Sequence, residues 1–270
     1  MSDPATYDRD AAERESAAYE SPAAAERRSL VRDRLAPRPG ETVLSIGCGP
    51  GFEPAEIAPL VGREGHVHGV DRSEAMLDLA VRRCADAPNA SLACGEATDL
   101  PISTGSIDAA VAVQVYEYVE PLDAALAELE RVLRPGGRAA VYDTDFASLV
   151  WRTDDSERAD RILSAYDGHC PHPRLGSALG PALREAGLRV ERVEPNTIIA
   201  TEFPADSYAF HLVHAVRDYV VDQGQIDARV ADAWVEDLRK RADRDEFFFS
   251  LTQYLYVVAK PAAAPVDSER

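Results

Sequence analysis

The stretch VLSIGCGPGF, Val43 to Phe52, decides how the rest of the chain is read. Val43, Leu44 and Ile46 form the apolar run of a buried strand, and Gly47, Gly49 and Gly51 follow at once. Glycines let a backbone come close to a ligand, and the helix that follows such a turn offers free N–H groups to an anion. The turn therefore holds the edge of a nucleotide-like cofactor or is a tight structural turn. A dinucleotide fingerprint needs its third glycine one position later, where this chain has Phe52.

Outward from this turn, strands and helices alternate. Strands are expected at Thr42–Ile46, His66–Val70, Ala90–Cys94, Ile107–Val113 and Arg138–Asp143, with helices at Pro54–Leu60, Ser73–Ala85 and Pro121–Leu133 between them. Ser73 suits an N-cap, and Arg134-Pro135-Gly136-Gly137 turns the chain. Such alternation implies βαβ units around a parallel sheet. Beyond Asp145 the rhythm loosens: helices are expected at 154–167, 177–186 and 205–222, and strands at 188–193 and 250–259. Residues 8–36, rich in Ala, Glu and Arg, read as helical with a new start at Ser21-Pro22. We divide the chain into a helical N-terminal extension or lid (1–36), one main domain (37–262) with helical cap insertions at about 150–175 and 205–245, and a tail (263–270).

In open α/β sheets ligands lie outside the carboxyl ends of the strands. The second strand ends at Asp71, 20 residues past Gly51, where an acid accepts from two ribose hydroxyls; the plainer reading is a carboxylate at a helix start. The third strand leads into GEATDLP and the fourth into VYEYVE. The segments VLSIGCGPGF, HVHGVDRSEAML, GEATDLP, IDAAVAVQVYEYVEP and RVLRPGGRAAVYDTD, in this order and spacing, resemble the class I S-adenosylmethionine-dependent methyltransferases, among them the small-molecule group that includes quinone-ring methylases. RLGSALGPALREAGL and FFFSLTQYLYVVAKP are similar to that fold's last helix and strand pair.

The resemblance implies an α/β, Rossmann-like three-layer sandwich with a seven-stranded, mostly parallel sheet whose last strand is antiparallel. Position by position it places Gly47, Gly49 and Gly51 around the methionine part of S-adenosyl-L-methionine, with S-adenosyl-L-homocysteine as product. Asp71, with Arg72 beside it, falls at the ribose, Met76 near the adenine, Glu96 and Ala97 at the adenine amino group, and Gln114 beside the sulfonium. Ser45, counted with the cofactor-binding residues, stands where relatives commonly carry an acid, and it brings no charge. Tyr7 and Tyr19 of the N-terminal helices are candidates for a lid over the cofactor. On the acceptor side stand Tyr116, Glu117, Tyr118, Asp143, Asp145, His169 and His172, of which Tyr116, Glu117 and Asp143 are the catalytic candidates. The bland reading of each tyrosine is half-buried packing. HCPHP (His169–Pro173) invites a metal or arsenic-thiolate reading, but no second cysteine lies in local register, and a Pro-bounded loop over the pocket fits better. No metal is required. Tyr208, Leu212, Ala215 and Tyr219 share a helical stripe that reads as core, or as the cap of an apolar, aromatic-sized acceptor pocket. A catalytically silent cofactor-binding sensor or partner protein is the rival class.

Composition bounds the rest. Of 270 residues 46% are hydrophobic, enough for a substantial core, and no apolar run approaches the ~20 residues of a membrane helix. The N-terminus lacks an apolar signal core, so a cytoplasmic location and no membrane insertion are expected. Acids outnumber bases 47 to 29, for a net charge of −18, and only Lys240 and Lys260 among the bases are lysines. A GC-rich genome explains the arginines; adaptation to high salt explains both the arginines and the acids. Either way nucleic acid is a poor partner, and a small-molecule substrate with a monomeric or homodimeric protein is expected. The four cysteines form no CxxC pair.

Overall fold

The computed structural model describes residues 12–13, 16 and 19–262. Tyr7, most of the expected first helix and the 263–270 tail lie outside the described residues. Helix α1 (Pro22–Leu35) starts where expected: the Ser21 side chain accepts from the Ala24 N–H at 3.3 Å and Pro22 takes the first helical position. Then follow β1 (Thr42–Ile46), α2 (Phe52–Val61), β2 (His66–Asp71), α3 (Glu74–Arg83), β3 (Ala90–Cys94) and β4 (Ile107–Val113). Ser73 caps α3 by accepting from the Met76 N–H. After a single 3-10 turn at Tyr116–Tyr118 come α4 (Leu122–Val132), β5 (Leu133–Trp151), α5 (Ser156–Tyr166), α6 (Leu175–Glu185), β6 (Arg189–Ala200), α7 (Tyr208–Asp222), α8 (Ala228–Ala242) and β7 (Phe249–Ala259).

The sheet order is β3-β2-β1-β4-β5-β7-β6, with β7 antiparallel to both neighbours and the other pairings parallel. This is the seven-stranded sheet with an antiparallel last strand. β1 sits between β2 and β4, and the strand order reverses there, so the glycine turn emerges at the switch point. Being covered on both faces, the central strands carry continuous apolar runs. One face packs α4 and α6 through Leu126, Leu129, Leu179 and Leu183. The other packs α1 and α2 through Val31, Leu35, Ile57 and Val61 against Val43, Val111 and Tyr142.

β5 is much longer than the expected Arg138–Asp143. It pairs with β4 up to Tyr142 and with β7 from Arg138 to Trp151, and its register with β7 breaks between Asp145 and Val150. Past the break, Phe146, Leu149 and Trp151 enter a second core built from α5, α7 and α8, with Trp234 edge-on to Trp151 at 5.1 Å. Apolar residues shared between two cores have no single period, which hides the extension in the sequence. α7 buries Ala209, Leu212, Val213, Val216 and Val220, whereas Ala215 is exposed; the buried stripe is offset from the one expected.

Candidate active site

The five expected strand ends converge. Gly47, Gly49 and Gly51 all have positive φ, but they differ in surroundings. A Cβ on Gly47 would stand 2.5 Å from Val115, and one on Gly51 2.7 Å from the Ala80 backbone of α3. A Cβ on Gly49 would meet nothing within 4 Å. Two glycines thus permit close packing, and the third faces open space where a ligand can approach.

Asp71 closes the turn. Its carboxylate accepts from the Gly49 N–H at 2.8 Å and from the Ser73 N–H at 2.9 Å, and its carbonyl accepts from the Gly95 N–H at 3.1 Å. The ends of β1, β2 and β3 are therefore tied through one residue, beside half-buried Arg72 and Ala97 and exposed Glu96. Burial pushes the Asp71 carboxyl up, against the pull of those two N–H donors. The helix-start role leaves room for a ligand, because each carboxylate oxygen keeps a further lone pair. Met76 is buried in the first turn of α3. Ser45 is buried inside β1, opposite Gly69 and Val111. The acid nearest in role, Glu53 in the first turn of α2, is itself pushed toward the neutral form by burial, opposed by Arg27.

At the end of β4, Gln114 takes left-handed backbone (φ 54°), a strained conformation for a residue of its size. Its amide donates to Thr144 Oγ1 at 3.1 Å and accepts from Arg27 of α1. Thr144 Oγ1 also accepts from Gln253, whose carbonyl accepts from the Tyr142 hydroxyl, which accepts in turn from Asn196. A hydrogen-bonded chain thus crosses the strand ends from α1 to β6.

Next to it, Glu117 and Asp143 are fully buried and hold each other's loops. Asp143 Oδ1 accepts from the Val115 and Glu117 N–H groups at 3.2 and 3.3 Å; Glu117 Oε2 accepts from the Thr144 N–H at 2.7 Å. Their other oxygens, Glu117 Oε1 and Asp143 Oδ2, are buried without a partner, as is the Tyr116 hydroxyl. Burial raises the Glu117 carboxyl to about 7 and, together with the Glu117 charge, raises Asp143 well above the carboxylate range. Burial, then the Asp143 charge, raises the Tyr116 phenol as well. Tyr116 is wholly buried rather than half-buried, and Tyr118 is 43% exposed.

His169 stacks on Tyr166 at 3.9 Å, with Phe146 edge-on at 4.4 Å. Its Nδ1 pairs with the Tyr166 carbonyl at 2.7 Å, Nε2 has no partner, and burial lowers its basicity to about 4. His172 holds the loop to the 3-10 turn, its N–H donating to the Glu117 carbonyl and its Nε2 pairing with Val119 O, both at 3.1 Å. Asp145 accepts from the Ala147 N–H and serves the strand break. Among the described residues no cluster of three His, Cys, Asp or Glu side chains is placed to hold a metal ion.

Three residues of this network escape the sequence reading: Arg27, Thr144 and Gln253. Arg27 lies one and two helical repeats before Val31 and Leu35, on the apolar face of α1, and a charge on an apolar stripe is the available signal. Phe52 also gains a role: its ring lies between the guanidinium groups of Arg83 (3.5 Å) and Arg28 (4.3 Å), which ties α1 and α3 to the start of α2. Tyr19 joins this cover, its ring 6.3 Å from Phe52 and 5.5 Å from the Arg27 guanidinium.

A doubly wound sheet with a glycine turn at the switch point and an acid at the next strand end defines a class I methyltransferase architecture. Comparison with known proteins agrees. Residues 43–137 match the family model described as a methyltransferase domain. The chain is 32% identical over 235 residues to an uncharacterized 37.1 kDa protein in a transposon of Streptomyces fradiae (85% of this chain, 66% of that protein). It is 38% identical over 170 residues to an arsenite methyltransferase of Halobacterium salinarum (62% and 42%), and 39% over 111 residues to a 2-phytyl-1,4-naphtoquinone methyltransferase of Synechococcus elongatus (40% and 48%). The geranyl diphosphate C-methyltransferase of Streptomyces coelicolor shares the fold at TM-score 0.55 and 18% identity, over 87% of this chain and 76% of that one. The chain belongs to the class I S-adenosylmethionine-dependent methyltransferases. It spans between about two-fifths and two-thirds of the lengths of these curated relatives.

Proposed function

We propose that the protein transfers a methyl group from S-adenosyl-L-methionine to a small organic acceptor, at oxygen or carbon. The observation that carries this is the juxtaposition of an open, ligand-facing Gly49 beside Asp71 with a buried acid pair, Glu117 and Asp143, two strand ends away. The cofactor's sulfonium supplies an activated methyl group when bound. Gly47, Gly49 and Gly51 would hold its methionine part, Asp71 with Arg72 its ribose, Met76, Glu96 and Ala97 its adenine, and Gln114 the region of the methyl group. Tyr19 and α1 would cover it and keep water out.

The acceptor needs alignment and, where it loses a proton, a base. Positioning alone is worth ~7–11 kcal/mol of barrier and a base ~10²–10⁴-fold in rate. Glu117 is the group suited to take that proton, because it is buried and sits near neutrality. Asp143 shares the remaining charge and fixes the 3-10 turn; the buried Tyr116 hydroxyl, which feels the Asp143 charge, would serve as a donor.

An arsenic acceptor is disfavoured. Soft As(III) calls for grouped thiolates, yet Cys48 and Cys84 lie under the glycine turn while Cys170 lies in the HCPHP loop near Glu117. Burial also raises the Cys170 thiol to about 12. The acidic surface argues against nucleic acid, and four free thiols together with a described chain that has no helix long and apolar enough to cross a membrane support our placing the protein in the cytoplasm. Calorimetry with S-adenosyl-L-homocysteine, followed by transfer of labelled methyl to a panel of phenols and activated carbon acids, tests the reading. Binding without transfer to any acceptor favours a silent sensor; no binding at all removes the proposal.

A further inference from the structure

Arg27 presents a charge problem that the fold does not solve. It is 4% exposed, and an arginine does not shed its proton when buried. Its Nη1 donates to Gln114 Oε1, a neutral amide, and its Nε has no partner. The rings of Tyr19 and Tyr142 lie 5.5 and 6.0 Å from the guanidinium carbon. Among the described residues no carboxylate stands within ion-pair distance of it. Two acids act on it from further off, Glu53 and Glu117, and burial drives both toward the neutral form. A guanidinium taken out of water costs several kcal/mol unless an anion meets it, and rings and one amide compensate only part of that cost.

We propose that Arg27 anchors an anionic oxygen group, a carboxylate first of all, on a small molecule bound in the cleft. The planar fork with a free Nε suits two-point recognition of such a group. The site stands where both molecules of the proposed reaction meet: Gln114 and Glu53 on the side of the glycine turn, Tyr142 and Tyr208 on the side of β5 and α7. The inference rests on the methyltransferase reading only in taking these molecules to be cofactor and acceptor. The carboxylate then belongs to the amino-acid end of the cofactor or to an acidic acceptor, and the two are separable.

The test is calorimetry on the full chain, comparing wild type with R27Q and R27K. The probes are S-adenosyl-L-homocysteine, 5′-methylthioadenosine, which lacks the amino-acid end, and 4-hydroxybenzoate added to protein saturated with 5′-methylthioadenosine. If the anion is the cofactor's, R27Q weakens S-adenosyl-L-homocysteine at least tenfold, leaves 5′-methylthioadenosine within twofold, and R27K falls between. If it is the acceptor's, both adenosine ligands are unchanged and only 4-hydroxybenzoate is lost. Equal weakening of all three probes, the mark of a purely structural arginine, overturns the proposal, as does no change in any. Should R27Q fail to fold, wild type decides with each acid against its methyl ester: equal affinity within both pairs overturns it. Wild type that binds neither adenosine ligand sinks the methyltransferase reading, while 4-hydroxybenzoate added to the protein alone still reports on Arg27.

Discussion

Glu117 has its proton affinity moved furthest into the working pH range by folding. An unfolded glutamic acid ionises near pH 4.5, and the buried Glu117 near 7. Between those values the folded state holds a proton that the unfolded chain has released, so stability falls as pH rises from about 4.5 to 7 and is level above that. E117Q removes this dependence: its stability relative to wild type should improve across that interval, as read from urea midpoints at pH 4.5, 6 and 8. Methyl transfer, which needs the ionised form, should rise through about pH 7 in wild type and drop ~10²-fold or more in E117Q without a matching loss of S-adenosyl-L-homocysteine affinity. A profile with no inflection near 7 removes Glu117 as the base. Asp71 makes the opposite split: D71A should weaken S-adenosyl-L-homocysteine by roughly 2–3 kcal/mol, the scale of a hydrogen bond to a charged group. The Gly49 and Ser73 N–H groups also lose their acceptor, so the melting temperature falls with it. D71N, which keeps one acceptor oxygen, separates these losses; affinity unchanged in both variants excludes Asp71 from the site.

At the scale of elements, the glycine turn shows what spacing reveals and what it conceals. Three glycines after an apolar strand mark a turn, and Asp71 and Ser73 further on mark the next strand end and helix start, because these positions are fixed by local backbone chemistry. Which glycine is left with open space beside it is decided by α3 and Val115, far along the chain, and no local pattern records that. Gly51→Ala should cost ~2 kcal/mol of stability or more, since its Cβ meets the Ala80 backbone at φ 87°. Gly49→Ala should cost only about the ~1 kcal/mol of a left-handed alanine and yet weaken S-adenosyl-L-homocysteine more strongly than Gly51→Ala does. Thermal melts paired with calorimetry check the crossover; parallel losses in the two variants contradict it. The far half of β5 and Arg27 stayed hidden for a similar reason. Phe146, Leu149 and Trp151 answer to a second core, and Arg27 to groups brought by β4, β5 and α7. β1 and β4 were legible as apolar runs, and β2 and β3 as short segments set between turn residues in the βαβ rhythm.

For the molecule as a whole, charge sets the behaviour. The net charge is −18, and many arginines are engaged in surface ion pairs, among them Arg34 with Glu194, Arg131 with Glu128, and Arg217 with Asp218 and Asp232. Salt acts on these features in opposite directions. It weakens the pairs, each worth ~0–1 kcal/mol, and it screens the repulsion among the remaining carboxylates. With 47 acids against 29 bases the net repulsion outweighs the pairing, so added salt should stabilise the fold. The melting temperature should rise by several degrees between 0.05 and 1 M KCl, given that ~1 kcal/mol moves a domain of this size by about 2–4 °C. The shape of the curve identifies the cause. Screening is almost complete near 1 M, where the Debye length is ~3 Å, so most of the rise must fall below that concentration. A rise confined to higher salt is the general strengthening of apolar burial that any protein shows. A flat or falling curve below 1 M assigns the arginine bias to genome composition and leaves the acid excess without a role in stability.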